Sequence, residues 1–288
     1  LPAHRKEAVQ APDMRFLFVD EMIAFDHLKQ EIQLIVNLHV EPGDSPAIID
    51  EKYRLVCERL EQLAEKVTAP LEQDSRIQVA VDSPKPLQVE PNMSREQYER
   101  MVEQAKEYIA AGDIFQVVLS QRFSVKTDVD PFAVYRLLRT LNPSPYMYYL
   151  EYAGETVVGT SPELLVRVED EKVEMRPIAG TRKRGATPQE DEELAADLLA
   201  DKKERAEHYM LLDLGRNDVG KVSAYGSVQV EEALVIENYS HVMHMVSHVT
   251  GKLREGLHAF DALLSAFPAG TVSGSPKLRA MEIIAELE

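Results

Sequence analysis

A short run near the middle of the chain concentrates positive charge in an otherwise acidic protein. Residues 176–185 contain Arg176, Arg182, Lys183 and Arg184, whereas the formal net charge of the 288 residues is -17. A short basic segment on an acidic surface suits a small anion, because a nucleic acid needs a broad basic face to neutralise its phosphates. We predict that this cationic segment (residues 176–185) is a turn between a strand and a helix and binds a small anionic ligand.

A pair of glutamates could hold a metal ion. Glu204 and Glu207 lie three positions apart in a segment that we predict to be helical, so both side chains leave one face of the helix. Like charges at this spacing repel unless a positive charge lies between them. Magnesium is a suitable cation because it prefers carboxylate oxygen and water. The alternative is a solvated acidic face that Lys203 and Arg205 neutralise.

Three histidines could act as metal ligands or as acid–base groups. His241, His244 and His248 would share one face of a helix, but the valines among them favour a strand. In a strand His244 and His248 lie about 13 Å apart, too far to share a metal ion. The pattern disfavours zinc, and it leaves open both a histidine in a catalytic cleft and a structural histidine.

Two further segments combine flexible backbone with a helix start. In residues 267–277, Gly270 and Gly274 allow close approach to a ligand, and we predict that Ser275 and Pro276 open a helix whose free amides attract a carboxylate. The alternative is a plain capped turn. A second predicted helix start, Ser161 and Pro162, puts Glu163 in the first turn, where its pKa is lowered unless burial raises it into the range of a general acid. A capping glutamate is the alternative there.

The elements that must position these side chains are hairpins and helices in separate groups. We predict strands over residues 114–123, 227–230 and 242–250, hairpins over 146–159 and 165–176, and a helix that starts at Thr187, breaks near Asp201 and ends near Leu214. Along the first strand Gln116 faces the same way as Ile114 and Val118. This arrangement favours an α+β fold over a parallel α/β sheet.

The preceding part of the chain divides into an amino-terminal region and a connector. We predict strands over residues 16–19, 22–25, 32–40 and 77–81, a helix capped by Ser45, and a proline-rich connector over 70–91. Ser94 and Gln97 form a capping box for a helix that ends at Gly112. We expect residues 1–91 to be the end of an amino-terminal region with its connector, and residues 92–288 to be a catalytic region.

Composition excludes several classes of protein. The sequence pI of about 5.0 disfavours binding to nucleic acid or to an anionic membrane, and 44% hydrophobic residues indicate a globular chain. We find neither an apolar run of spanning length nor a signal-peptide pattern. We therefore expect a soluble cytoplasmic protein. Because the chain starts at Leu1 and stops within a helical pattern, we expect an interior piece of a longer protein.

Taken together, the motifs resemble those of the chorismate-utilising enzymes, and most closely the anthranilate-forming branch. The matching blocks, in the order of that family, are residues 112–122, 142–147, 159–163, 177–182, 207–218, 239–244 and 270–277. The resemblance implies an α+β chorismate-binding fold with large antiparallel sheets packed in layers and helices outside. It also implies Mg2+ dependence and a glutamine amidotransferase partner that supplies ammonia.

The resemblance assigns roles by position. It implies these groups: catalytic His244, Glu163 and Gln116; substrate-binding Gly180, Thr181 and Thr271; metal-binding Glu207 and Glu204; and L-tryptophan-binding Pro145, Tyr146 and Met147. Relatives that add water to chorismate have a lysine in place of Gln116, and relatives that form aminodeoxychorismate have one in place of Ala179. The absence of both lysines implies ammonia addition followed by pyruvate loss.

Two alternatives to an anthranilate-forming enzyme remain at this stage. One is an aminodeoxychorismate synthase large subunit, which Ala179 disfavours. The other is a non-catalytic module that senses tryptophan or docks a partner, which His244, Glu207 and Thr181 disfavour because a sensor needs none of them. By the same resemblance, we expect the rest of the tryptophan pocket and the remaining metal carboxylates to lie outside this sequence.

Overall fold

A computed structural model describes residues 12, 14–70 and 88–288, and the chain divides into two compact units. The smaller unit, within residues 7–84, contains an antiparallel pair of strands, β1 (Glu21–Asp26) and β2 (Glu31–Val36), followed by helix α1 (Pro46–Thr68). Ser45 caps α1, as predicted, by accepting a hydrogen bond from the Ile48 amide.

Two strand predictions in this unit are wrong. Residues 16–19 form no strand, because β1 and β2 pair only with each other among the described residues, and a strand needs a partner. The strand predicted over 32–40 ends at Val36. The strand predicted over 77–81 lies outside the described residues.

The larger unit contains the remaining elements. Its strands are β3 (Val89–Pro91), β4 (Gln116–Val117), β5 (Phe123–Val125), β6 (Tyr146–Tyr152), β7 (Glu155–Ser161), β8 (Arg167–Glu169), β9 (Lys172–Met175), β10 (Ile178–Lys183), β11 (Gln229–Asn238), β12 (Val242–Lys252) and β13 (Gly274–Ser275). Its helices are α2 (Arg95–Ala111), α3 (Pro131–Leu141), α4 (Pro188–Ala200), α5 (Lys202–Val222), α6 (Ala259–Ala266) and α7 (Lys277–Leu287). Every strand pair is antiparallel, and the α+β prediction is confirmed.

The largest sheet is built around β12. One edge of β12 pairs with β11, and the other edge pairs first with β10 and then with β9. β9 and β10 keep the same register along β12, and the carbonyl of Pro177 between them accepts a hydrogen bond from the Ser247 amide at 3.1 Å. The register shifts by one residue between Ala179 and Thr181, so Gly180 forms a bulge.

Helices α4, α5 and α6 cover one face of this sheet. Val249 and Met175 pack against Val219 of α5, and Met243 and Met245 pack against Leu198 of α4. Burial of each such side chain contributes roughly 1.5 to 3 kcal/mol. Because side chains alternate along a strand, His244 and His248 face away from these helices.

The boundaries of the helices around Asp201 follow from one carboxylate. Its side chain accepts hydrogen bonds from the amides of Lys203 and Glu204, at 2.9 and 3.2 Å, so α4 ends and α5 begins at Asp201. The predicted break is confirmed, but α5 continues to Val222 rather than to Leu214 because its buried side chains continue to contact the sheet.

Short strand pairs complete the larger unit. The two predicted hairpins are confirmed as β6 with β7 and β8 with β9. The predicted capping box of Ser94 and Gln97 begins α2. The strand predicted over residues 114–123 is reduced to β4, because its partner β13 has only two residues. No helix among the described residues is long and apolar enough to cross a lipid bilayer.

Candidate active site

The glycine-rich segment (residues 270–277) holds Gln116 in place through backbone hydrogen bonds. Gly274 has a φ of 143°, and a Cβ at this position would collide with the Gln116 carbonyl, so only glycine fits. The Phe115 amide donates to the Ser275 carbonyl at 2.7 Å. The helix predicted from Ser275 begins instead at Lys277, because Ser275 is occupied as a strand residue and caps nothing.

The same segment reaches Glu163. The Thr271 hydroxyl lies 3.1 and 3.0 Å from the two carboxylate oxygens of Glu163 and donates a hydrogen bond to them. Burial raises the pKa of Glu163, and the hydrogen bond from Thr271 opposes this shift. Two side chains that the sequence assigned separately, to acid catalysis and to substrate binding, therefore form one unit.

The helix predicted after Pro162 is wrong. Ser161 is the last residue of β7 and pairs with Tyr146, and the chain continues without helix into β8. The Ser161 hydroxyl does accept a hydrogen bond from the Glu163 amide at 3.2 Å, but this bond closes a single turn. Glu163 therefore does not lie in the first turn of a helix, and burial decides the direction of its pKa shift.

The bulge in β10 brings a second pair of predicted residues together. His244 pairs with Thr181 across the two strands, and its Nδ1 lies 3.0 Å from the Thr181 hydroxyl and 3.1 Å from the Gly180 carbonyl. A carbonyl only accepts, so the second contact is a hydrogen bond only when Nδ1 carries the proton. In the neutral ring Nε2 is then the atom free to take up a proton.

Helix α5 presents two different faces. One face packs His208, Leu211 and Leu212 against the sheet. The other lines a cavity of about 870 Å³. The lining residues of this cavity are Phe115, Gln116, Lys203, Ala206, Glu207, Met210, Asp213, Leu214, Asn217, Asp218, Lys221, Ser275, Pro276, Lys277 and Leu278.

The two predicted metal ligands lie differently on α5. Glu207 lines the cavity, whereas a carboxylate oxygen of Glu204 lies 3.2 Å from the position that a Cβ of Gly180 would occupy. Arg182 lies 3.9 Å from Glu204. No group of three or more histidine, cysteine, aspartate or glutamate side chains with metal-site geometry occurs among the residues that the structure describes. This part of the chain thus offers at most a pair of carboxylate ligands.

Gln116 lines the cavity and has an unsatisfied acceptor. Its Oε1 is buried and has no hydrogen-bond partner. A buried carbonyl without a partner costs about 1 to 3 kcal/mol, so such groups often mark a ligand position. A small donor such as ammonia has the chemistry to satisfy it.

Comparison with known proteins decides the family. The family of chorismate binding enzymes matches residues 1–288. The chain belongs to this family.

Individual relatives agree with this assignment. The chain is 50% identical over 295 residues to anthranilate synthase component 1 of Acetivibrio thermocellus, covering 100% of this chain and 58% of that protein. The crystal structure of anthranilate synthase component I from Streptococcus pneumoniae matches with a TM-score of 0.85 at 39% identity, over 100% of this chain and 61% of that one. A menaquinone-specific isochorismate synthase from Escherichia coli shares the fold, with a TM-score of 0.64 at 21% identity over 83% of this chain and 54% of that one. The chain thus spans less than two thirds of each of these relatives.

The arginines of the cationic segment are already paired. Arg176 pairs with Glu237, Arg182 with Asp197 and Asp201, and Arg184 with Asp191. The segment is strand β10 rather than the predicted turn, because it continues the pairing of β9 along β12. The geometry gives no support to the prediction that these arginines bind an anion.

Two polar contacts of this chain, one at His208 and one between Lys277 and Asp218, were not predicted from the sequence. His208 is fully buried and its Nε2 lies 2.6 Å from the Ser247 hydroxyl. Burial lowers the pKa of His208, and the nearby Ala179 backbone opposes this shift. The other ring nitrogen, Nδ1, has no hydrogen-bond partner of normal geometry. Lys277 donates to Asp218 at 2.6 Å beside the cavity. Only the position of His208 within the apolar stripe of α5 could have indicated its burial.

The predicted tryptophan-binding residues lie at the start of β6. Pro145 occupies the bend before the strand and is exposed, and Tyr146 and Met147 are its first two residues. Tyr146 is exposed and Met147 is half-buried, so these positions are accessible to a ligand. Their role in binding tryptophan stays a prediction.

Proposed function

We propose that this chain is part of an anthranilate synthase large subunit, which converts chorismate and ammonia into anthranilate, pyruvate and water. The observation that carries the proposal is Gln116, a neutral amide with a buried, unpartnered oxygen at the wall of the cavity. An amide cannot deprotonate water near neutral pH, but it can accept an N–H from ammonia, which is already a nucleophile. The relatives named anthranilate synthase support the same reaction.

Glu163 suits the departure of the ring hydroxyl group. Burial raises its pKa, so the protonated carboxyl persists to higher pH than in an exposed glutamate. A protonated carboxyl can donate to the leaving oxygen. The Thr271 hydroxyl fixes the direction of this carboxyl group.

His244 suits the proton transfer that accompanies loss of pyruvate. With Nδ1 directed at Gly180 and Thr181, Nε2 is available to exchange a proton with the substrate. Gly180, Thr181 and Thr271 are the proposed substrate contacts.

A magnesium ion fits the donors of α5. Glu204 and Glu207 supply the carboxylate oxygens that this hard cation prefers, one turn apart on the helix. When bound, magnesium would neutralise and hold the ring carboxylate of chorismate. The proposal also includes a cytoplasmic location, a glutamine amidotransferase that supplies ammonia, and inhibition by L-tryptophan at Pro145, Tyr146 and Met147.

Product analysis tests the proposed reaction. The complete subunit, given chorismate, Mg2+ and ammonium, should release anthranilate and pyruvate in equal amounts. Anthranilate is followed by its fluorescence, and both products are separated by chromatography. Isochorismate, salicylate or accumulated aminodeoxychorismate as the main product would contradict the proposal, and so would an absence of turnover.

Two histidines of β12 provide a matched pair of variants. His244→Asn should lower kcat by roughly 100-fold or more, because a positioned acid–base group contributes about that much. His248→Asn should leave kcat within about twofold, since His248 contacts Glu174 and Glu231 and none of the proposed site residues. Equal losses in the two variants would remove His244 from the proposed site.

A further inference from the structure

The turn before β12 places an aromatic ring against His244. The ring centroids of Tyr239 and His244 are 5.4 Å apart and the ring planes are inclined at 67°, an edge-to-face arrangement. This geometry directs the positive edge of one ring at the negative face of the other and is favourable for aromatic pairs. Tyr239 therefore contacts a residue of the candidate site directly.

Tyr239 is itself held at three points. Its hydroxyl donates to Glu237 Oε2 at 3.0 Å, its amide donates to the Val242 carbonyl at 2.8 Å, and its carbonyl accepts from Arg184 at 2.7 Å. Glu237 in turn pairs with Arg176. Two arginines of the cationic segment thus fix the position of one tyrosine.

Tyr239 keeps the proton that it donates to Glu237. Burial, together with the neighbouring Glu237 carboxylate, raises the pKa of Tyr239 to about 12. The phenol remains protonated at neutral pH and continues to donate to Glu237.

The hydrogen bonds of His244 leave one motion free. Contacts from Nδ1 to Thr181 and Gly180 direct that corner of the ring, but the ring can still tilt about this point. A packed aromatic edge restricts the tilt. The two kinds of contact together determine where Nε2 points.

We propose that Tyr239 is a positioning residue for His244, and that Glu237, Arg176 and Arg184 act on the reaction through Tyr239. The kinetic part of this proposal rests on the proposed function, in which His244 exchanges a proton with the substrate. The structural part, the orientation of the His244 ring, does not depend on the reaction.

Steady-state kinetics of the complete subunit test the kinetic part. Tyr239→Leu removes the ring and should lower kcat about tenfold with KM for chorismate within about twofold, because misdirected catalytic groups slow the reaction without weakening binding. Tyr239→Phe keeps the ring and should lose no more than about threefold. Tyr225→Leu, at a fully exposed tyrosine, is the control and should leave both constants unchanged.

A double variant separates positioning from general damage to the fold. In the His244→Asn background, Tyr239→Leu should cost nothing more, because the group that it positions is absent. A further tenfold loss in that background would overturn the proposal, and so would equal losses in Tyr239→Leu and Tyr239→Phe. If Tyr239→Leu does not fold, Tyr239→Met provides the ringless variant.

Nuclear magnetic resonance tests the structural part without any turnover. The Cε1–H signal of His244, assigned from its loss in His244→Asn, should shift in Tyr239→Leu and stay close to its original position in Tyr239→Phe. An unchanged signal in Tyr239→Leu would overturn the proposal. A subunit that makes no anthranilate but shows the expected shift would refute the proposed function alone.

Discussion

Two glutamates near opposite ends of the β7–β9 region have pKa values shifted in opposite directions, although both are withdrawn from solvent. Glu163 accepts hydrogen bonds from the Thr271 hydroxyl, and burial raises its pKa. Glu174 is more deeply buried, but Arg167 and Lys172 contact its carboxylate at 2.6 and 2.9 Å. Burial acts to raise the pKa of Glu174, and the hydrogen bonds from Lys172 and Arg167 outweigh it and hold the pKa at about 2.

The comparison teaches that neighbouring charges can reverse the pKa shift that burial alone produces in a carboxyl group. A glutamate with two cations stays ionised and can only hold structure together. A glutamate with a neutral hydroxyl partner keeps a proton more easily and can donate it. The difference comes from the groups that contact each carboxylate.

The largest effect is expected from removing the proposed general acid, Glu163. Glu163→Gln keeps the shape but removes the proton that the carboxyl exchanges, so kcat of the complete subunit should fall roughly 100-fold or more. Because the folded protein raises the pKa of Glu163, the stability that this group contributes at low pH is lost as the pH rises through the folded pKa. The free energy of unfolding of Glu163→Gln at pH 8 should therefore equal or exceed that of the unchanged protein. Loss of stability together with full activity would mean that Glu163 is structural.

An intermediate effect is expected from breaking the ion cluster, which consists of Glu174, Glu231, Arg167, Lys172 and His248. Glu174→Gln should lower the free energy of unfolding at pH 7 by about 1 to 2 kcal/mol, because Arg167 and Lys172 are half-exposed and recover part of their hydration. The folded state lowers the pKa of Glu174, so this stability is present above about pH 4.5 and is lost as the pH falls towards 2. Denaturant titrations at several pH values should show the difference between the proteins disappearing in acid. A difference independent of pH would contradict the charge argument.

The smallest effect is expected from removing the hydroxyl that contacts Glu163. Thr271→Val removes the hydrogen bond that opposes the raised pKa, so the pKa of Glu163 should rise further. The alkaline limb of the kcat profile should move to higher pH, and kcat at neutral pH should fall by about tenfold or less, because this hydroxyl also directs the carboxyl group. Thr250→Val is the matched control, since Thr250 donates to Glu231 at 3.0 Å in the ion cluster. A displaced profile in both variants, or in neither, would count against the role of Thr271.

Local signals in the sequence predicted local structure well. Ser45, Ser94 with Gln97, and Asp201 each satisfy backbone amides within a few residues, and each begins a helix in the structure. The strand around His244 was predicted correctly because its valines favour the extended conformation. Such features depend on neighbours in the chain and can be seen without the fold.

Motifs that can either begin a helix or close a single turn were predicted less well. Ser161 and Pro162 look like a helix start, and the Ser161 hydroxyl makes the expected hydrogen bond to the Glu163 amide. No helix follows, because β7 pairs with β6 up to Ser161 and the chain must reach β8. The first hydrogen-bonded turn is the same whether or not a helix follows. The pairing of β7 with β6 decides that no helix follows here.

Charges were misread because their partners are distant in sequence. Arg176 looked available to an anion, yet its partner Glu237 lies 61 positions away. The contact between Glu163 and Thr271 spans 108 positions. The sequence predicted the identities of the site residues by resemblance, but only the fold could show which of them meet and which carry a neutralising partner.

The glycine-rich segment also has a consequence for biosynthesis. It pairs with β4, and α7 behind it connects to the early part of the larger unit through Tyr108 with Glu286 and Asp113 with Arg279, across 178 and 166 positions. On the ribosome, the residues around Gln116 and Glu163 emerge long before their partners and must wait without them. Contacts of such long range slow folding and prolong the exposure of apolar surface. The contacts of Gln116 and Glu163 with the glycine-rich segment can therefore form only after residues 270–287 have been synthesised.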